Sequence, residues 1–136
     1  MNNDEQKIKS VLDGLADRFQ VSRPKLCYSA ITRRGRYYYR GERILIGPRC
    51  WRGIEQSLVH EFAHHLATKR HGDCGHNARF IAALFDTAAA HFVDPTKYLW
   101  RTEYKSIQRW ARDMGLVTAD SYLTSLPAAP IGFHSE

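Results

Sequence analysis

Three residues in one short run have the types and spacing for metal-assisted hydrolysis. His60-Glu61-Phe62-Ala63-His64 places two histidines four residues apart with a glutamate directly after the first. On a helix, residues four apart sit one turn apart on the same face, so two imidazoles at this spacing converge on one ion. Glu61 then points beside that ion, where a bound water would lie. Zinc lowers the pKa of such a water towards neutrality, and the carboxylate takes its proton. A shuffled chain of this composition would contain the pattern roughly once in seventy tries, so its surroundings have to support it. The expectation is one Zn2+ per chain, held by His60 and His64, with Glu61 as general base.

A catalytic zinc takes three protein ligands and leaves one position to water. The extended pattern HExxHxxGxxH fails here, because Ala67 and Arg70 occupy its later positions. His76 fits best as the third ligand. Gly72 and Gly75 let the chain turn back, and His76 then opens the next helix facing the first. His71 and Asp73 are weaker alternatives, and Glu103 lies far along the chain. His65 points to another helical face and reads as a hydrogen-bonded core or supporting group. Tyr98 and Tyr104 are candidate oxyanion donors, with packing as the plainer reading. Cys74 is a candidate fourth ligand that would silence the site, and more simply a loop cysteine. Trp51, Trp100 and Trp110 read as core anchors.

The elements that must position these groups follow from periodicity and breakers. Ile8, Val11, Leu12, Leu15 and Phe19 recur at spacings of three and four and predict a helix over 3–19. Pro24 prevents its continuation. Three short strands are expected over 26–32, 36–40 and 43–46, joined by Arg33-Arg34-Gly35 and Gly41-Glu42. Connections this short predict a meander. Strand 43–46, made of Arg43, Ile44, Leu45 and Ile46, precedes the motif helix and is the expected edge along which a peptide substrate adds as a further strand. Ile54, Leu58, Phe62 and Leu66 recur every four residues and predict the motif helix over 54–69. A glycine-punctuated break at 71–75 leads into a helix over 77–92, with Phe80, Ile81, Leu84 and Phe85 as core candidates. Asp94-Pro95 is read as its stop. A last helix is expected from 102 or 103 to 114, stopped by Gly115.

The chain has 136 residues, 43% apolar and 25% charged, which suits one domain with an ordinary core. That domain is expected over 1–116, followed by an extended or partly disordered tail over 117–136, packed back through Tyr122, Leu123 and Phe133. Three cysteines, Cys27, Cys50 and Cys74, make neither a zinc ribbon nor a complete disulfide framework. With no apolar run of membrane length and a polar N-terminus, the expected compartment is the cytoplasm. The formal net charge is +6, and the excess is local. Nine basic residues between Arg23 and Arg52 face one acid, Glu42, so that stretch carries +8 and the remainder −2. Such asymmetry suits a polyanionic partner as well as it suits a solvated basic face. Alternation on a strand would place Arg34, Arg36, Tyr38 and Arg40 on one surface, ready for weak nucleic-acid contact, with Tyr37 and Tyr39 on the other.

The run Leu58-Val59-His60-Glu61-Phe62-Ala63-His64-His65, followed by Gly75-His76-Asn77-Ala78-Arg79-Phe80, resembles SprT-like zinc metallopeptidase domains and the related minimal zincins of the gluzincin type. The resemblance covers roughly residues 36–92. In SprT-like domains a strand meander precedes the HExxH helix, and a His-Gly-x-x-aromatic segment on the following helix supplies the third ligand. His76 and Phe80 match that segment, and Asn77 stands where the family has glycine. The C-terminal zinc ribbon many members carry has no counterpart here, which makes this a stripped-down form of a sort also found in phage and prophage genomes. The resemblance implies an α+β zincin-like domain with a three-stranded sheet, the HExxH helix and two to three further helices. It also implies peptidase activity, sometimes on DNA-bound proteins. Two rival functions stand beside it: a nucleic-acid-binding module with a structural or vestigial zinc, and hydrolysis of a non-peptide amide.

Overall fold

A computed structural model describes residues 3–72 and 75–115, with 96 and 99–101 described by backbone alone. Helix α1 (Asn3–Phe19) buries Ile8, Leu12, Leu15 and Ala16. It ends as its sequence demands. Gln20 takes a left-handed φ of 55°, and the Val21 amide donates back to the Ala16 carbonyl at 3.1 Å. This is the hydrogen-bonded reversal that satisfies the last carbonyls of a helix.

The sheet holds β1 (Lys25–Tyr28), β2 (Arg36–Tyr38) and β3 (Arg43–Ile46). Its order is β1-β3-β2, with β1 parallel and β2 antiparallel to β3. This corrects the expected meander. β3 takes the centre because it is the most apolar strand, with Ile44 and Ile46 both 0% exposed. The arginine- and tyrosine-rich β2 suits an edge. The segment 33–35 does not close a hairpin between β1 and β2. The Arg33 carbonyl accepts from the Trp51 amide at 2.9 Å, and Thr32 Oγ1 donates to the Arg34 carbonyl at 2.9 Å. The chain leaving β1 instead runs past the end of β3. There a side chain on Gly47 would collide with the Ser29 carbonyl oxygen, so the residue at 47 has to be glycine.

Helix α2 (Ile54–His71) is the hub and is buried from Ser57 to Ala67. It packs on α1, on β2 and β3, and most extensively on α3. Its polar side chains are buried along with its apolar stripe, so it lacks the solvated face of an ordinary surface helix. Gly72, with φ 71°, caps its end and donates to the Thr68 carbonyl at 2.7 Å. Helix α3 (Ala78–His91) opens with Asn77, whose Oδ1 accepts from the Phe80 amide at 3.0 Å. Phe80, Ile81 and Leu84 are buried as expected, and Phe85 packs only partly against the core.

Asp94-Pro95 begins an element as well as ending one. Pro95 occupies the first position of α4 (Pro95–Thr102), and Asp94 Oδ1 accepts from the Lys97 amide at 3.1 Å. The expected last helix is present as α5 (Lys105–Asp113), starting two to three residues later than expected, after the break at Glu103-Tyr104; α4 before it was not expected. Trp110 is 45% exposed on α5 and is no core anchor, whereas Trp51 packs against the core. The Trp100 side chain, Cys74, Asp73 and the tail 117–136 lie outside the described residues. The architecture is α+β, with one core shared by the sheet and the helices. Among the described residues, no helix is long and apolar enough to cross a membrane.

Candidate metal centre

Two turns of α2 and the entry to α3 bring three imidazoles to one point. His76 Nε2 lies 3.3 Å from His60 Nε2 and 3.1 Å from His64 Nε2. One ligand atom from each of the three lies within 4.8 Å of the others. Zinc–nitrogen bonds of 2.0–2.1 Å at tetrahedral angles put ligand atoms about 3.3–3.4 Å apart, and the two separations from His76 are close to that spacing. The donor set fits as well. Three nitrogens whose lone pairs converge repel one another unless a cation lies between them. His71 stands exposed at the end of α2 and outside this group.

The ring orientations are fixed from behind. Phe80 is 0% exposed and stacks on His64, ring centroids 4.1 Å apart, while also contacting His60 and His76. His60 Nδ1 lies 2.7 Å from Glu103 Oε2. A carboxylate only accepts, so Nδ1 carries the proton and Nε2 presents its lone pair to the centre. Glu103 is 0% exposed, and the same Oε2 accepts from Arg52 at 2.9 Å and from the Tyr98 hydroxyl at 3.0 Å. Burial alone would raise the Glu103 pKa. The adjacent Arg52 and His60 outweigh burial and hold the carboxyl well below its usual range. For His60, burial opposes protonation and Glu103 favours it, with the second effect prevailing, so its pKa is raised. His64 is held well below 6.5 by burial and by the two neighbouring imidazoles, which keeps it neutral and able to bind a metal at neutral pH.

Sequence reasoning missed Glu103 and Arg52. Glu103 is 43 residues from His60, and no spacing rule connects them. Arg52 was counted with the basic surface, yet its side chain is 2% exposed and its guanidinium also donates to the Thr102 carbonyl at 2.9 Å. The one available signal was chemical: a metal-binding histidine needs an acceptor for its other N–H, and the only glutamates after Glu61 are Glu103 and Glu136.

Glu61 is 3% exposed and lines a cleft of about 270 Å³ together with the three histidines. Gly35 closes against it, since a Cβ there would stand 3.1 Å from Glu61 Cγ and Oε2. Arg34, Gly35, the β2 residues Arg36, Tyr37 and Tyr38, and Gly75 complete the lining. This relocates two expectations. Arg43, Ile44, Leu45 and Ile46 cannot offer an edge, because β3 is paired on both sides. The edge beside the cleft belongs to β2. Of the arginines expected to share one surface, Arg34 and Arg36 line the cleft, and Arg40 lies in the following turn, its guanidinium 5.7 Å from the Tyr39 ring centroid.

His65 takes the supporting role expected of it. Nε2 donates to the Ser22 carbonyl at 2.7 Å, so Nδ1 accepts from the Tyr37 hydroxyl at 2.9 Å. Tyr37 thus points inward as expected, whereas Tyr39 is 50% exposed. Neither Tyr98 nor Tyr104 lines the cleft. The Tyr98 hydroxyl serves Glu103 behind His60, and burial together with that carboxylate raises its pKa well above the ordinary value. Comparison with protein-family models, with curated proteins and with solved structures finds no match to this chain.

Proposed function

We propose that the chain is a zinc-dependent hydrolase that cleaves peptide bonds, a stripped-down SprT-like zincin. One observation carries the reading: Glu61 and three converging imidazoles open onto the same cleft. A purely structural site has no need of a carboxylate beside an open coordination position. His60, His64 and His76 would hold the ion, and Glu103 would fix the His60 tautomer. Bound zinc supplies a Lewis acid that acidifies water and polarises a carbonyl. Glu61 accepts the proton of the attacking water and delivers it to the departing amine. A peptide laid along the free edge of β2 would bring its carbonyl over the histidines by strand pairing, the role first assigned to β3.

A nucleic-acid-binding module with a structural zinc is the second reading. The exposed Arg36 and Arg40 and the exposed rings of Tyr38 and Tyr39 favour it. Glu61 weighs against it, having no task in such a module. Hydrolysis of a non-peptide amide would use the same groups.

Metal analysis and proteolysis of an unfolded protein substrate test the reading together. Wild type should hold one zinc per chain. His60→Ala and His64→Ala should lose it, His76→Ala should bind it far more weakly, and His71→Ala should keep it. Glu61→Gln should keep zinc and lose about a hundredfold or more in turnover. Equal turnover in zinc-loaded Glu61→Gln would remove the general base, and full zinc in His76→Ala would remove the third ligand.

A further inference from the structure

The cleft that holds Glu61 is electrostatically one-sided. Its lining includes Arg34 and Arg36, and among the described residues Glu61 is the one acid that lines it. Arg34 stands on a pinned segment, with the carbonyls on either side of its peptide unit engaged by Trp51 and Thr32 and with Gly35 packed on Glu61. Arg36 is exposed at the free edge of β2, and no acidic group of the described residues pairs with it. A resident dication would add further positive charge at the floor. The neighbouring basic and aromatic groups do not compete for this position: Arg43 lies 5.0 Å from the Tyr38 ring centroid, and Tyr37 is turned onto His65.

We propose that Arg34 and Arg36 make this cleft selective for peptides with an anionic side chain next to the scissile bond, a carboxylate of Asp or Glu in the first instance. The inference rests on the hydrolase reading for its substrate, yet it concerns binding and is separable from turnover. A strand added along β2 advances about 3.4 Å per residue, so a side chain one or two residues from the reacting carbonyl falls within reach of a long guanidinium. Arginine suits the task, because its fork pairs with both oxygens of a carboxylate. A lysine at the same substrate position would meet like charge. An accessible ion pair of ordinary strength for Glu and like-charge repulsion of similar size for Lys give a preference of about tenfold, weakening as salt rises.

The test uses the full chain, zinc-loaded, as wild type and as Glu61→Gln. Fluorescent peptides identical except for one Glu, Gln, Lys or phosphoserine are titrated against the Glu61→Gln protein by anisotropy, and their cleavage by wild type is followed by mass spectrometry. The expected order is Glu above Gln above Lys, about tenfold from first to last. Arg34→Gln with Arg36→Gln should level it, and Arg36→Glu should turn it towards Lys, with zinc content retained in both. Tighter binding of phosphoserine through the same arginines upholds the anionic class and moves its source from carboxylate to phosphoryl. Cleavage of all peptides without charge preference, or a preference untouched by the arginine variants, overturns the inference and leaves the hydrolase standing. A charge-ordered binding series with no cleavage does the reverse. If single-stranded DNA displaces the Glu peptide and binds tighter through the same two arginines, they serve a nucleic acid and the inference falls.

Discussion

The most demanding residue in the molecule is Glu103, because three groups depend on one of its oxygens. Replacing it with glutamine keeps an acceptor for His60 but leaves the buried Arg52 without its counter-ion. Loss of such a supporting carboxylate should weaken zinc binding about 10- to 100-fold. Breaking a buried pair should cost about 3–5 kcal/mol of stability. The double variant Arg52→Met, Glu103→Leu should recover much of the stability and none of the zinc affinity. Chelator competition and urea unfolding measure the two quantities separately. His65 makes a second residue-scale prediction. Burial holds its pKa below 6.5, so the folded chain keeps it neutral while the unfolded chain protonates it. Its contribution to stability is therefore complete above pH about 6.5 and is lost as pH falls from there through the folded value, with a slope of at most about 1.4 kcal/mol per pH unit. His64 acts in the same direction and His60 in the opposite one. The comparison that isolates His65 is wild type against His65→Gln in urea at pH 7.5 and 5.5, and wild type should lose more.

Among elements, the helices that bring the three histidines together were the most legible, because their periodicity and their breakers agree. The motif gave His60 and His64, and the glycine break placed His76. The strand order was hidden because a meander and a β1-β3-β2 sheet use the same short strands. What separates them is the capture of the Arg33 carbonyl by Trp51, a contact between distant parts of the chain. Helix α4 was hidden for a local reason. An Asp-Pro pair reads as a stop, yet the same pair is a good start, with proline at the first helical position and aspartate capping it. Asp94→Ala should cost about 1 kcal/mol of stability. Since α4 leads into Glu103, it should also loosen zinc binding modestly. Unchanged stability in urea unfolding would show that packing alone holds α4.

At the scale of the molecule, an ion held by α2 and by His76, just ahead of α3, would couple binding to folding. The unfolded chain has no preformed site, so a ligand at a thousand times its dissociation constant adds about 4 kcal/mol to stability. If zinc is the resident ion, chelation should therefore lower the melting temperature of wild type by several degrees and leave His60→Ala, expected to have lost the ion, unmoved. Equal shifts in both proteins would mean that the chelator acts elsewhere. The charge asymmetry also takes on a different meaning at this scale. With Arg52 buried and Arg34 and Arg36 at the cleft, the +8 stretch is no uniform basic face, and a salt slope near −2 for single-stranded DNA is the most it should give, the value for about three phosphate contacts.

The strand order has a consequence for how the chain is made. Synthesis releases β1 first, and β1 pairs with β3 alone, whose last residue is 18 positions behind Tyr28. At about 5–20 residues per second, β1 leaves the ribosome roughly one to four seconds before its partner is complete. β2 and β3 meet across a short turn, so their pairing closes a much shorter loop than that of β1 with β3. The strand that emerges earliest thus waits longest for its partner, and for that interval its edge is open to any extended segment nearby.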